Sequence, residues 1–250
     1  MTQQELKEQK LLKKIQSKFN KAIRDYNLIS ENDHILIGLS GGKDSLALVE
    51  LLGERMKIFF PRFKATAVHI TVENIPYQAD LDFLRHYSEQ FNIPFIHRRT
   101  RYDPSTDTRK SPCFLCSWNR RKTLFDTAKE LGCTKIALGH HLDDTVETLL
   151  LNILYQGAMG TMPPKLKMTK FDMTIIRPMS LIPESELCEL AEIREYPRQI
   201  KNCPYEKESS RQKIKNIISE VEKWHPTVRQ SVWAAMENIQ PDYLPQKENK

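Results

Sequence analysis

Four short apolar runs punctuate the first part of the chain: "HILIGLS" from His34, "ATAVHITV" from Ala65, "PFIHRRT" from Pro94 and "TKIALGH" from Thr134. Amphipathic helical patterns separate them. Nearly continuous apolar strands have both faces to bury, and a parallel sheet covered by helices on each side is the arrangement that buries them. Strands starting near residues 34, 64, 94 and 134 therefore predict a doubly wound α/β sheet. A length of 250 residues accommodates one such domain plus a smaller appended region.

The segments around this pattern complete the organisation. Residues Glu5 to Tyr26 read as a lysine-rich helix with an apolar seam at Leu11, Leu12, Ile15, Phe19 and Ile23, able to pack on the main domain or on a partner chain. The third strand-to-strand unit is longer than the others, and the surplus is the segment Thr100 to Pro112. After the fourth strand a helix carries Val146, Leu149, Leu150, Ile153 and Leu154 on one face, predicting burial against the sheet. "PPKLKMTKFDMTIIRPMSLIP" predicts a hairpin or irregular connection, followed by a helix after Pro183 and a last patterned helix through Ile214, Ile217, Ile218 and Val221. The partition is then an N-terminal helix at 1–30, the sheet domain at 31–180 and a C-terminal helical region at 181–250. No run of eighteen apolar residues occurs and the N-terminus is charged from the start, so no membrane association and a cytoplasmic location are expected.

Only eight glycines occur in the chain, and Gly38, Gly41 and Gly42 lie within five residues of one another. Such clustering between a strand and a helix implies positive φ or close approach of a ligand. Helix N-terminal amides there make an anion site. The spacing fits neither G-x-x-x-x-G-K-[ST] nor G-x-G-x-x-G. It reads Ser40-Gly41-Gly42-Lys43-Asp44-Ser45, with a carboxylate where a hydroxyl would follow the lysine. A carboxylate beside phosphates makes sense with Mg²⁺ between them. Without a ligand, Ser40 would be an N-cap and Asp44 a first-turn acid.

This hexapeptide resembles the PP-loop of the N-type ATP pyrophosphatases, which cleave ATP between the α and β phosphates and adenylate a substrate. The resemblance implies ATP and Mg²⁺ bound by Ser40 to Ser45, with Asp44 among the catalytic residues. "GHHLDDTVE" is similar to the family's GH-x-x-DD motif, which implies a catalytic and Mg²⁺-binding role for Asp143 and a place for Gly139 in ATP binding. His69 falls where the family lines its adenine pocket. Read without the resemblance, Asp143 and Asp144 cap a helix, while Asp143 and Glu147 share one helix face.

Cys113 and Cys116 form a Cys-x-x-Cys pair placed just before an amphipathic helix, and Cys203 stands far off in "NCPY". Cys133 and Cys188 read as small buried side chains. The remaining thiols suit a zinc site, a redox dithiol or an iron–sulfur cluster with one iron left open. Around the pair the charge is concentrated. Arg98, Arg99, Arg101, Arg109, Lys110, Arg120, Arg121 and Lys122 face only Asp103 and Asp107, so this segment alone carries a charge equal to the +6 of the whole chain. An anionic partner is expected there.

The order of glycine loop, Cys-x-x-Cys with a basic pair, "GHHLDD", "IRP", late cysteine and "AMENIQPDYL" resembles the tRNA 2-thiocytidine synthetase family from the first helix to about Leu244. The resemblance implies an adenine nucleotide alpha hydrolase-like sheet and a [4Fe–4S] cluster on Cys113, Cys116 and Cys203. It also implies a catalytic Arg120, a tRNA substrate meeting the basic residues other than Arg120, a sulfur donor such as a cysteine desulfurase, and a homodimer. The implied reaction adenylates C2 of cytidine 32 in the anticodon loop and replaces its oxygen by sulfur. Rival readings are another PP-loop tRNA enzyme, thiolating uridine or acting like a lysidine synthase, and a zinc-stabilised RNA-binding protein.

Overall fold

The computed structural model describes residues 3–75, 79–103, 105, 111–169, 171–197 and 210–245. Arg109, Lys110 and Cys203 lie outside the described residues. The chain packs as two compact units: residues 1–141 with 163–207, and residues 142–162 with 208–250.

The first unit is built on a six-stranded sheet. Its strands are β1 (Asp33–Gly38), β2 (Phe63–Val72), β3 (Phe95–Thr100), β4 (Lys135–Ala137), β5 (Lys165–Lys167) and β6 (Thr174–Ile176). They lie in the order β3-β2-β1-β4-β6-β5, all parallel except β5, which forms the expected hairpin with β6. Strand order reverses between β1 and β4, and that switch point opens a crevice beyond the strand C-termini.

Alternation along the strands divides the core. Ile35 and Ile37 of β1, Ala65 and Ala67 of β2 and Ala137 of β4 face one layer, where helices α1 (Gln3–Asp25), α2 (Lys43–Met56), α3 (Leu81–Gln90) and α6 (Glu184–Ile193) bury Phe19, Leu48, Leu84 and Leu187. Leu36, Val68 and Ile136 face the other layer, with Leu124 and Ala128 of helix α4 (Pro112–Glu130). Each fully buried aliphatic or aromatic side chain of this kind stabilises the fold by about 1.5–3 kcal/mol relative to its exposed state.

Helix α1 packs inside this unit. Its buried seam is Leu11, Ile15, Phe19, Ala22 and Ile23, with Leu12 half-buried at the margin. Lys14 and Lys18 reach Glu186 of α6 at 2.8 and 2.5 Å. Arg194, just beyond α6, bonds Glu50 of α2 at 2.9 Å and also Glu8 of α1. Glu50 is buried and further accepts from Tyr196 at 2.8 Å and Tyr87 at 3.3 Å, so one carboxylate ties α2 to α3 and to the chain after α6.

The second unit consists of helices α5 (Leu142–Gln156), α7 (Ser210–Glu222) and α8 (Val228–Glu237) with the turn Pro241–Tyr243. Here the sequence expectation for α5 needs correction. Val146 and Leu149 are buried, but Ile153 and Leu154 are 40% and 61% exposed. The partners of α5 within this unit are α7 and α8, which contribute Ile214, Ile218 and Trp233 and cover only its first two turns. Among the described residues no helix is long and apolar enough to cross a membrane.

Candidate active site

The glycine loop leaves β1 at the switch point and becomes the first turn of α2. Gly41 has φ of 91°, a left-handed conformation that lets the chain reverse at little cost. Gly42 occupies the N-cap position with no side-chain cap. Ser40 is therefore not the cap. Instead its hydroxyl accepts from Gly42 N at 3.3 Å and lies 3.1 Å from the Ser45 hydroxyl. Ser45 accepts from Gly41 N at 3.0 Å and donates to the Gly42 carbonyl at 2.9 Å, locking the loop from within.

Lys43 lies over this turn. Its Nζ is 3.0 Å from Asp44 Oδ1 and 3.3 Å from Glu184 Oε1 at the start of α6. Burial acts to lower its proton affinity, but the two carboxylates outweigh it and hold the ammonium above its ordinary range. Glu184 is a residue that sequence reasoning missed. Its only sequence signal is an acid directly after Pro183, which any helix N-terminus could show.

Gly139, after β4, comes up against the same loop. A Cβ there would meet the Asp44 carbonyl carbon and oxygen at 3.1 Å and Ser45 N at 3.3 Å. The glycine thus permits the turns after β1 and β4 to close on one another. His69 of β2 is buried and bonds the Leu39 carbonyl through Nδ1 at 2.8 Å, which fixes the residue before Ser40 and leaves Nε2 as the acceptor. Burial pushes its imidazole below the ordinary value; the bond to Leu39 opposes this, while the charges of Arg120 and His97 add to it. Arg120 is exposed on α4 and close enough to His69 to exert that effect. Beside the loop, buried Arg177 of "IRP" donates to the Pro163 carbonyl at 2.7 Å and to His140 Nδ1 at 3.3 Å, pinning the segment that precedes α5.

Cys113 and Cys116 lie inside helix α4 rather than before it. Ser111 caps the helix by accepting from Phe114 N at 3.3 Å, and Pro112 takes the first position, whose amide would be unpaired anyway. Two thiols three residues apart in a helix's first turn share one side of it. Cys113 is exposed and Cys116 half-buried. This donor pair fits a soft-metal or iron–sulfur group. Of the other two described cysteines, Cys133 is buried, and desolvation pushes its thiol up to about 11. Cys188 is half-buried on α6. The described basic residues differ in availability. Arg98 is paired with Glu130 at 2.8 Å, whereas Arg99, Arg101, Arg121 and Lys122 are exposed.

In the second unit the acidic motif at the start of α5 is met by arginines. Asp143 is buried and 2.5 Å from Arg229 Nε of α8, and Arg229 also pairs with Glu222. Arg211 of α7 reaches Glu147 at 3.3 Å and Asp144 at 3.5 Å. Burial raises the Glu147 carboxyl above its ordinary value, with Arg211 working against it. Among the described residues no three His, Cys, Asp or Glu side chains gather as a site able to hold a metal ion. Asp143 and Glu147 are balanced by guanidinium groups instead.

A strand, a glycine loop and a helix N-terminus at the switch point of a parallel sheet define a protein that takes the phosphates of a nucleotide. Comparison with known proteins gives that class its particulars. A family model described as a PP-loop domain matches residues 11–220. The tRNA-cytidine(32) 2-sulfurtransferase of Syntrophotalea carbinolica is 38% identical over 247 residues, spanning 95% of this chain and 93% of that protein. The protein of the same name from Neisseria meningitidis serogroup C is 36% identical, over 97% of this chain and 77% of its own. Among solved structures, the U34-tRNA thiolase NcsA from Methanococcus maripaludis with its [4Fe–4S] cluster is similar at a TM-score of 0.76 and 29% identity, over 93% of this chain and 82% of that one. The chain belongs to the PP-loop domain family, and within it to the family of the tRNA-cytidine(32) 2-sulfurtransferases.

Proposed function

We propose that this protein is an ATP-dependent tRNA sulfurtransferase that converts cytidine 32 of the anticodon loop to 2-thiocytidine. The observation that carries the reading is that the phosphate loop Ser40–Ser45 and the thiol pair Cys113–Cys116 belong to the same compact unit. One supplies activation and the other a seat for sulfur chemistry. Relatives named for this activity support it over nearly the full chain.

The residues divide the work as follows. Ser40 to Ser45 hold the ATP phosphates through loop amides, with the Lys43 ammonium neutralising charge and Gly139 keeping the loop closed. The C2 carbonyl oxygen of cytidine attacks the α-phosphate, and pyrophosphate leaves. Sulfur at the sulfide level (HS⁻) then attacks C2; the C2–O bond breaks, AMP departs with the original oxygen, and the sulfur's proton is released to leave a C2 thiocarbonyl. Arg120 offsets the phosphate charge that develops. Asp44 is the loop carboxylate that would hold a Mg²⁺ ion arriving with ATP, an ion that screens the phosphates. Asp143 is assigned a positioning role on the resemblance of its motif, with its carboxylate oriented by Arg229.

Cys113 and Cys116, with Cys203 as third ligand, would hold a [4Fe–4S] cluster, which would supply a metal site not filled by a protein thiolate for the sulfur chemistry. A cysteine desulfurase, together with a thiol reductant that supplies the two electrons bringing its persulfide sulfur to the sulfide level, is the donor that fits this chemistry, and the enzyme works as a homodimer in the cytoplasm. Arg99, Arg101, Arg121 and Lys122 meet the tRNA backbone, together with Arg98, Arg109 and Lys110 of the same segment, which makes binding salt-sensitive.

The test is to express the chain in a bacterial strain whose tRNA lacks 2-thiocytidine and to digest the tRNA for nucleoside mass spectrometry. Thiocytidine should appear with wild type and disappear with Cys203→Ala, whose purified form should lose its iron and acid-labile sulfide. Thiouridine in place of thiocytidine would move the substrate to another base. Stoichiometric zinc without sulfide would end the cluster assignment.

A further inference from the structure

Helix α4 has chemistry on two sides. Cys113, Cys116 and Arg120 recur at spacings of three and four and share one side. Trp118, Arg121 and Lys122 recur at the same spacings on another. Trp118 is 52% exposed, and Lys122 Nζ lies 5.7 Å from its ring centroid. Among the described residues neither Arg121 nor Lys122 has a carboxylate partner, whereas Arg98 is held by Glu130.

We propose that Trp118 is a stacking platform for an unpaired base of the tRNA loop, with Arg121 and Lys122 meeting the phosphates that flank it. The proposal rests on the tRNA reading above and adds the nucleotide contact. A large ring left open to solvent among uncompensated cations matches a polyanion that carries aromatic faces, and single-stranded RNA has both. A cation over one face of the indole is itself favourable and leaves the second face for a base. Trp118 is two residues past Cys116, about 200° around the helix. The base it holds is therefore a neighbour of the reacting cytidine and not the reacting base, which must reach the thiol side. Holding the neighbour keeps the loop splayed while C2 is presented.

The experiment is fluorescence anisotropy with the full-length protein at several salt concentrations, using a labelled anticodon stem–loop and a blunt duplex of the same stem. Trp118→Ala should weaken stem–loop binding about tenfold and leave the duplex unaffected. Trp118→Phe, which keeps a stacking face, should stay within about threefold of wild type. Lys122→Ala should lower the slope of log affinity against log salt by about one, while Trp118→Ala leaves that slope unchanged. A Trp118→Ala protein that binds the stem–loop like wild type overturns the platform and leaves the tRNA reading standing. A Trp118→Phe protein as weak as the alanine variant, with wild-type melting, also overturns it. Wild-type protein that binds neither RNA overturns both readings together.

Discussion

Replacing Gly139 by alanine isolates the closure of the nucleotide loop. The backbone of Gly139 lies outside the left-handed region, so an alanine free of new contacts would stabilise the fold by about 0.4–1 kcal/mol through the unfolded chain. The site is not free of contacts. The new methyl would lie 3.1 Å from both the carbonyl carbon and oxygen of Asp44 and 3.3 Å from Ser45 N. Carbon pairs are comfortable at about 3.5–4.0 Å, so the turn after β4 or the first turn of α2 must move by about half an ångström. All three atoms are backbone, with no flexible side chain to absorb the shift, and overpacking of this kind costs about 1–3 kcal/mol. The sign of the effect is therefore opposite to that of an unhindered substitution. Urea unfolding measures the part borne by the fold, and AMP release against ATP concentration measures the part borne by the loop. The two together should amount to about 1–3 kcal/mol, or roughly five- to 150-fold in an equilibrium constant. A variant as stable as wild type or more so, with KM for ATP within twofold, would refute the reasoning.

Other perturbations probe the charges around the site. Glu184→Gln removes one of two carboxylates on Lys43 and should raise KM for ATP about fivefold, roughly 1 kcal/mol, in a steady-state pyrophosphate assay; an unchanged KM would make that contact incidental. Arg229→Met strands the buried Asp143 carboxylate and should cost about 3 kcal/mol in urea unfolding, while Asp143→Asn with Arg229→Met should recover at least half; an equally unstable double variant would show that the pairing is not the cause. Burial holds His34, His69 and His97 below the ordinary imidazole value. Above pH of about 6.5 both folded and unfolded states keep these rings neutral, but below it the unfolded chain takes up protons that the fold refuses. The urea midpoint should therefore fall as pH drops below about 6.5, and His69→Gln should flatten that fall; a midpoint that rises on acidification would contradict the burial argument.

The sheet was legible because its central strand is apolar on both faces. Residues 35, 36 and 37 feed two different cores, and no half-exposed strand could carry that run. The glycine loop was legible in a glycine-poor chain for a similar reason, since Gly41 needs its left-handed φ and Gly139 its missing Cβ. Helix α5 was misread because a 3.6-residue period reports an apolar face without reporting what covers it. Ile153 and Leu154 extend past α7 and α8 and stay exposed. The start of α4 was readable but overlooked: Ser111-Pro112 is a cap followed by a first-position proline. Glu184, Arg211 and Arg229 were beyond reach, since each acts on a residue distant in the chain and no local spacing marks a long-range ion pair.

The discontinuity of the second unit sets a timetable for biosynthesis. Helix α5 leaves the ribosome carrying Asp143, Asp144 and Glu147, but Arg211 is encoded 67 residues after Asp144. At about 5–20 residues per second that is a wait of about 3–13 s, during which the apolar stripe of Val146 and Leu149 has no helix to cover it. Translation that stops short of Arg229 would leave the GHHLDD aspartate without its counter-charge, so this acidic motif acquires its final electrostatic setting only near the end of synthesis.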